Sequence, residues 1–187
     1  MNAIALEGGF KQPAFDSAFA FRAMMEAMAR PGEIKSVLGA RPPAPLSVAA
    51  GVAILTLCDP DTPVYLGGSL DTQTVRYWIS FHTGAPLSGP AMCSFAVGTW
   101  EDLTPLSQFP IGTPEYPDRS ATLIIERKSL KQTGATLQGP GIRDKTRFEL
   151  PDTNALSKNA ALFPLGLDFY FTAGDRIAGL PRSTRID

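Results

Sequence analysis

The stretch Val48-Ala49-Ala50-Gly51-Val52-Ala53-Ile54-Leu55-Thr56-Leu57-Cys58 constrains this chain more than any other. Wound at 3.6 residues per turn, it is apolar on every side. A helix built from it must therefore be covered all round. It is far too short to cross a bilayer, which takes about 20 apolar residues. The stretch predicts a helix held between a sheet and another layer, with Ser47 as its cap. Asp59-Pro60-Asp61-Thr62-Pro63 stops it. A short strand follows at Val64-Tyr65-Leu66, and Pro63 keeps that strand from being a regular central one at its first residue. Asp71 is expected to cap a second helix over 72–81, with Val75, Trp78, Ile79 and His82 on one face. That helix leads to the only histidine, in Phe81-His82-Thr83-Gly84-Ala85-Pro86.

With 187 residues, one domain over 1–187 is the default expectation. Hydrophobic content of 44% against 19% charged fits a globular chain. The 17 basic side chains nearly balance the 18 acidic ones, which argues against a global field for nucleic acid. Cys58 and Cys93 read as reduced, partly buried thiols. Two distant cysteines and one histidine make no convincing metal site. The start of the chain has neither the basic opening nor the apolar core of a signal peptide, so a cytoplasmic protein is expected, with no membrane partner.

Before the central unit, residues 1–13 read as an arm and 15–29 as a helix. Asp16 or Ser17 is its expected cap, and Arg30-Pro31-Gly32 its end. Phe21, Met24, Met25 and Met28 follow helical spacing and form the predicted core stripe. Arg22, Glu26 and Arg30 lie on another line, read as an ion-paired row. Phe15 and Phe19 fall near that charged line. Either the N-terminal arm covers them, or they and Arg22 form a subunit contact. A short strand is expected within 33–38.

After the central unit, 92–98 predicts a strand, 100–109 a short helix and 110–118 an irregular loop. Residues 121–126 form an apolar β-branched run, predicted as a buried strand. Gly139-Pro140-Gly141 lacks the lysine and following helix of a phosphate-binding loop, and reads first as a turn between strands. Its sequel is more suggestive. Arg143, Lys145 and Arg147 alternate, so on a strand they share one face. Three such cations suit a polyphosphate or an acidic partner. A solvated, charge-protected edge strand is the alternative. His82 likewise has two readings: a half-buried residue capping helix-end carbonyls, or a ligand group together with Thr83. Asp152 or Thr153 caps a predicted helix to about residue 162, and 169–171 reads as a strand. Alternating helices and strands point to an α/β fold, a three-layer α/β/α sandwich with a mixed sheet.

Six stretches taken together carry a resemblance. They are Ala20-Phe21-Arg22-Ala23-Met24-Met25-Glu26-Ala27-Met28-Ala29-Arg30-Pro31-Gly32, Leu57-Cys58-Asp59-Pro60-Asp61-Thr62-Pro63-Val64, Phe81-His82-Thr83-Gly84-Ala85-Pro86, Gly139-Pro140-Gly141-Ile142, Phe163-Pro164-Leu165-Gly166-Leu167-Asp168 and Leu180-Pro181-Arg182-Ser183-Thr184-Arg185. In this order they resemble the PhnH family, subunits of the bacterial carbon–phosphorus lyase core complex. The resemblance implies a role in phosphonate catabolism. It implies support for the step that makes α-D-ribose 1-methylphosphonate 5-triphosphate from methylphosphonate and ATP, with the nucleosidase chemistry on a partner subunit. It also implies a fold similar to a reduced pyridoxal-phosphate-dependent transferase without the cofactor. The implied partners are the other core subunits and, for the isolated chain, a second copy in a homodimer.

The residues agree with an accessory role. A pyridoxal enzyme needs a desolvated lysine. Lys128 lies in Glu126-Arg127-Lys128, a charged setting expected to be exposed, and Lys145 belongs to the basic row. The sequence offers no paired-carboxylate, metal or triad pattern, so no catalytic residue and no cofactor is assigned. The competing reading is a nucleotide- or phosphonate-binding subunit with its own catalytic contribution, using His82, Thr83, Arg143, Lys145 and Arg147.

Overall fold

The structure is a computed structural model that describes residues 6–187. The start of the predicted arm, residues 1–5, lies outside the described residues. Four helices are described: α1 (Pro13–Ala29), α2 (Val48–Leu57), α3 (Gln73–Thr83) and α4 (Thr153–Ala160). The strands are β1 (Lys35–Ser36), β2 (Val64–Leu66), β3 (Phe95–Gly98), β4 (Thr122–Glu126), β5 (Ala135–Gln138), β6 (Thr146–Phe148), β7 (Asp168–Ala173), β8 (Arg176–Leu180) and β9 (Arg185–Ile186). Six of them form a mixed sheet in the order β1-β8-β7-β4-β3-β2. Strands β2, β3, β4 and β7 run parallel; β8 runs against β7, and β1 runs against β8 and so again in the direction of the parallel strands. A second, three-stranded sheet has the order β6-β5-β9.

Side chains alternate across the large sheet, as the period of two demands. Val64, Leu66, Val97, Ile124, Tyr170 and Ile177 join α1, α2 and α3 in one apolar core. Tyr65, Ala96, Leu123, Ile125, Phe169, Phe171 and Ala178 face a second core. Helix α2 is buried along most of its length, as its uniform apolarity requires. Ser47 caps it by accepting from Ala50 N at 3.1 Å. The mixed sheet matches expectation. The second covering layer is more varied than a helical layer: α4 shares it with the small sheet and with turns around Trp100, Leu103 and Phe109.

Helix α1 begins earlier than predicted. Pro13 stands at its first position, where a missing N–H costs nothing. Asp16 is inside the helix, accepting from Gln12 N at 2.9 Å, so neither it nor Ser17 is the N-cap. The core stripe is also rotated. Ala20, Met24 and Ala27 are buried, whereas Phe21 and Met25 are exposed. The reason lies in β8: a Cβ on Gly179 would stand 2.7 Å from the carbonyl oxygen of Ala27. Helix and strand meet backbone to backbone, and alanines fit such a contact better than phenylalanines do. The predicted row of Arg22, Glu26 and Arg30 does not pair internally. Glu26 bonds Lys35 at 3.3 Å, and Arg30 lies 3.9 Å from Glu33.

Three other elements differ. Thr72, not Asp71, caps α3, accepting from Val75 N at 3.2 Å, because Asp71 is engaged by the guanidinium of Arg76. Residues 100–109 form no α-helix. Thr99 and Asp102 close a tight turn, Pro105 disfavours the helical backbone before it, and only a 3-10 turn remains at Leu106–Gln108. Strand β3 starts at Phe95 because Pro90–Met92 forms another such turn, leaving Met92 exposed.

Candidate functional site

Helix α3 delivers His82 to its last turn. His82 Nε2 lies 3.3 Å from the carbonyl oxygen of Glu7, which also accepts from Trp78 Nε1 at 2.9 Å. The imidazole packs against Trp78 and edge-on to Phe81, with ring centroids 5.2 and 4.9 Å away. Thr83 donates to the Ile79 carbonyl at 2.8 Å and accepts from Ala85 N at 3.0 Å. In this geometry Thr83 fastens the helix end, whereas His82 turns to the N-terminal arm instead of capping helix-end carbonyls.

The basic row is only partly a strand. Arg147 lies on β6, but Arg143 and Lys145 lie on the bend before it, so the three do not share one strand face. The bend is fixed by Gly139-Pro140-Gly141, where Ile142 N returns to the Gly139 carbonyl at 3.1 Å. Gly141 has φ +81°, and a Cβ there would collide with the Ala29 carbonyl, so this turn rests on the end of α1. Arg143, Lys145 and Arg147 are all exposed, with no ion pair among the described residues. Arg143 and Lys145 line a hollow of about 190 Å³ with Arg30 and Glu33. The hydrogen-bond and ring contacts of His82 lie with Glu7, Trp78 and Phe81, so the structure does not join the two predicted ligand groups.

The outer face of α1 is the clearest surface feature. Phe15 is 66% and Phe19 75% exposed, so the described part of the arm, 6–12, does not cover them. Phe21, Arg22 and Met25 extend the same exposed side. Clustered exposed apolar side chains mark contact surfaces more often than single ones do.

Two features escaped the sequence reading. Arg182 forms a fork with Asp168: Nε donates to Oδ1 at 3.1 Å and Nη2 to Oδ2 at 2.5 Å. Its Nη1 reaches the Pro117 carbonyl at 2.8 Å, and Nη2 also reaches Ser120 Oγ. Both Asp168 and Arg182 sit in motif stretches quoted for the resemblance, but nothing in their spacing announces the pair. The second feature is Glu126, whose setting is not the exposed one expected for its triplet. It accepts from Ser47 N at 2.7 Å and Thr172 Oγ1 at 3.1 Å, and burial raises its pKa above the usual carboxylate value. Lys128 is exposed, as expected. A charged triplet directly after an apolar β-branched strand was the available signal.

Neither thiol is set up as a nucleophile. Burial pushes Cys58 up to about 12 and Cys93 up to about 11, which keeps both protonated at neutral pH. Among the described residues, no helix is long and apolar enough to cross a membrane.

Fold and surface together define an α/β protein with a mixed, doubly covered sheet, an outward apolar helix face and an exposed basic bend. Residues 8–187 match the family model described as bacterial phosphonate metabolism protein (PhnH), and the chain belongs to that family. It is 39% identical over 191 aligned residues to the α-D-ribose 1-methylphosphonate 5-triphosphate synthase subunit PhnH of Rhizobium meliloti (strain 1021). The alignment covers 96% of this chain and 94% of that relative.

Proposed function

We propose that this chain is an accessory subunit of a complex that makes α-D-ribose 1-methylphosphonate 5-triphosphate from methylphosphonate and ATP. The observation that carries this reading is the near full-length match to a relative named as a subunit of that synthase. The exposed face of α1 supports it, because a subunit needs a surface to dock by. In this reading Phe15, Phe19 and Arg22 contact other core subunits, or a second copy of the chain when it is isolated. The whole of 1–187 acts as one domain, similar to a reduced pyridoxal-phosphate-dependent transferase. The tagged chain, expressed with its neighbouring subunits, should co-purify with them, and Phe19→Asp should weaken that recovery. A wild-type chain recovered alone would overturn the reading.

A second reading is favoured by the cations of the 143–147 segment, which have no ion-pair partner among the described residues. In it, Arg143, Lys145 and Arg147, with His82 and Thr83, bind the triphosphate and the chain contributes to transfer. Calorimetry with ATP on the isolated chain separates the two readings. Micromolar binding abolished by Arg143→Ala supports the second, and absence of heat removes it.

A further inference from the structure

Ligands of open α/β sheets settle outside the carboxyl ends of the parallel strands, most often where the strand order reverses; here β2, β3, β4 and β7 lie in chain order, so only the lining itself points to a ligand. In this chain the carboxyl ends of β3 and β4 open onto a cavity of about 350 Å³. Its walls include Thr99, Trp100 and Glu101 after β3, and Glu126, Arg127 and Lys128 at the end of β4. The volume lies at the lower end of the range for small-molecule sites, about 300–1,000 Å³. None of its walls belongs to the exposed basic bend at 143–147.

Arg127 is the unusual member. Its backbone N–H continues the pairing with β7, donating to the Thr172 carbonyl at 2.8 Å. Its guanidinium is poorly matched. Nη2 is 3.8 Å from Glu149 Oε2, beyond hydrogen-bond distance, and Glu149 also faces Lys131 at 3.7 Å. Nη1 is enclosed by protein and meets no acceptor among the described residues. A guanidinium cannot shed its proton to escape this situation. An enclosed donor without an acceptor is destabilising, and more so when charged.

The oxygens of Glu126 and the Thr99 hydroxyl are committed elsewhere, whereas the Glu101 carboxylate stands exposed at the outer wall. Both oxygens of Glu126 accept, from Ser47 N and Thr172 Oγ1. The Thr99 hydroxyl donates to Asp102 at 2.8 Å. Burial raises the Glu126 pKa above the usual carboxylate value, against the opposing pull of its bonds from Ser47 and Thr172. Lys128 is exposed in the same wall and adds a second cation. The acceptor that suits such an arginine is a planar or tetrahedral oxyanion, which can take two parallel N–H bonds.

We propose that the cavity at the carboxyl ends of β3 and β4 binds a small phosphate- or phosphonate-type oxyanion, with Arg127 as the principal donor and Lys128 as the second cation. Trp100 supplies an apolar wall for a group attached to the anion. This inference stands independently of the docking role, because it concerns the isolated chain.

The test is calorimetric titration of the full chain, in chloride buffer, with inorganic phosphate and with methylphosphonate. Arg127→Met, which keeps the stem and removes the charge, should weaken binding at least about tenfold, equivalent to 1.4 kcal/mol. Lys128→Gln, on the exposed side of the wall, should weaken it several-fold. Arg41→Gln, an exposed cation outside these walls, should leave it unchanged. Arg127→Lys should give an intermediate loss, because it keeps the charge and loses the fork. Near-ultraviolet circular dichroism checks that each variant retains native packing, and Lys128→Gln keeps the test decisive if the Arg127 variants do not fold. Tighter phosphate than methylphosphonate supports a site for phosphate groups; the reverse order supports a site for phosphonates. Wild-type affinity in Arg127→Met, or no heat with either anion up to about 10 mM, would overturn the proposal.

Discussion

Two arginines mark opposite ends of the same parallel strands. Arg182 sits at the amino end, where Asp168 opens β7 and Ser120 precedes β4. Arg127 sits at the carboxyl end, directly after β4. The first spends every guanidinium nitrogen on the protein itself. The second keeps an enclosed nitrogen without an acceptor. The same chemical group is therefore fully matched at one end and left with an unmatched nitrogen at the other. The difference lies in local acceptors, since both arginines are largely shielded: their side chains are 12% and 20% exposed.

Substitutions can break or sharpen that contrast. The largest effect belongs to Arg182→Ala, which leaves Asp168 partly buried without its cation. It should cost about 3 kcal/mol in urea unfolding, the lower end for breaking a buried pair. A loss below about 1 kcal/mol would show that this pair is as weak as a surface pair. Arg127→Met should behave in the opposite way, keeping most of the stability while losing oxyanion binding as described above. If it costs as much as Arg182→Ala, the two ends are alike and the contrast fails.

Glu126→Gln sharpens the comparison through pH. The folded pKa of Glu126 is raised by burial, so the native state binds more protons than the unfolded chain between the unfolded and folded values. Its contribution to stability is fully present below the unfolded value, near 4.5, and is lost as pH rises through the folded one. The glutamine variant should therefore equal or exceed wild-type stability at neutral pH. Its advantage should shrink as pH falls toward 4.5, measured by chemical unfolding at stepped pH. An advantage that grows on acidification would reverse the assignment. The smallest effect is predicted for Arg147→Gln, an exposed residue without an ion-pair partner among the described residues. Its unfolding free energy should stay within about 0.5 kcal/mol of wild type.

The legible parts of the fold are those whose signal is local. The uniform apolarity of α2, the caps Ser47 and Asp152, and the β-branched run of β4 all determine their structure within a few residues. Strands β8 and β9 were not legible. Gly179, Pro181 and the polar tail carry no strand pattern of their own, and pairing with β7, β1 and β5 makes strands of the segments around them. The face of α1 was misjudged for a similar reason, because helical spacing gives a period but not the rotation that the sheet selects. In the candidate site, alternation placed Arg143, Lys145 and Arg147 on one strand, whereas the chain bends before Thr146. Arg127 was written off with its charged triplet, since burial of Glu126 depends on Ser47 from the far end of the α2 connector.

The bare backbone at Gly179 has a reach beyond its own neighbourhood. It sets how low α1 rides over the sheet, and hence the height at which Phe15 and Phe19 stand above the rest of the molecule. A methyl group there would act as a shim. Recognition through the outer helix face could then be retuned from the opposite side, with every contact residue on that face left as it is.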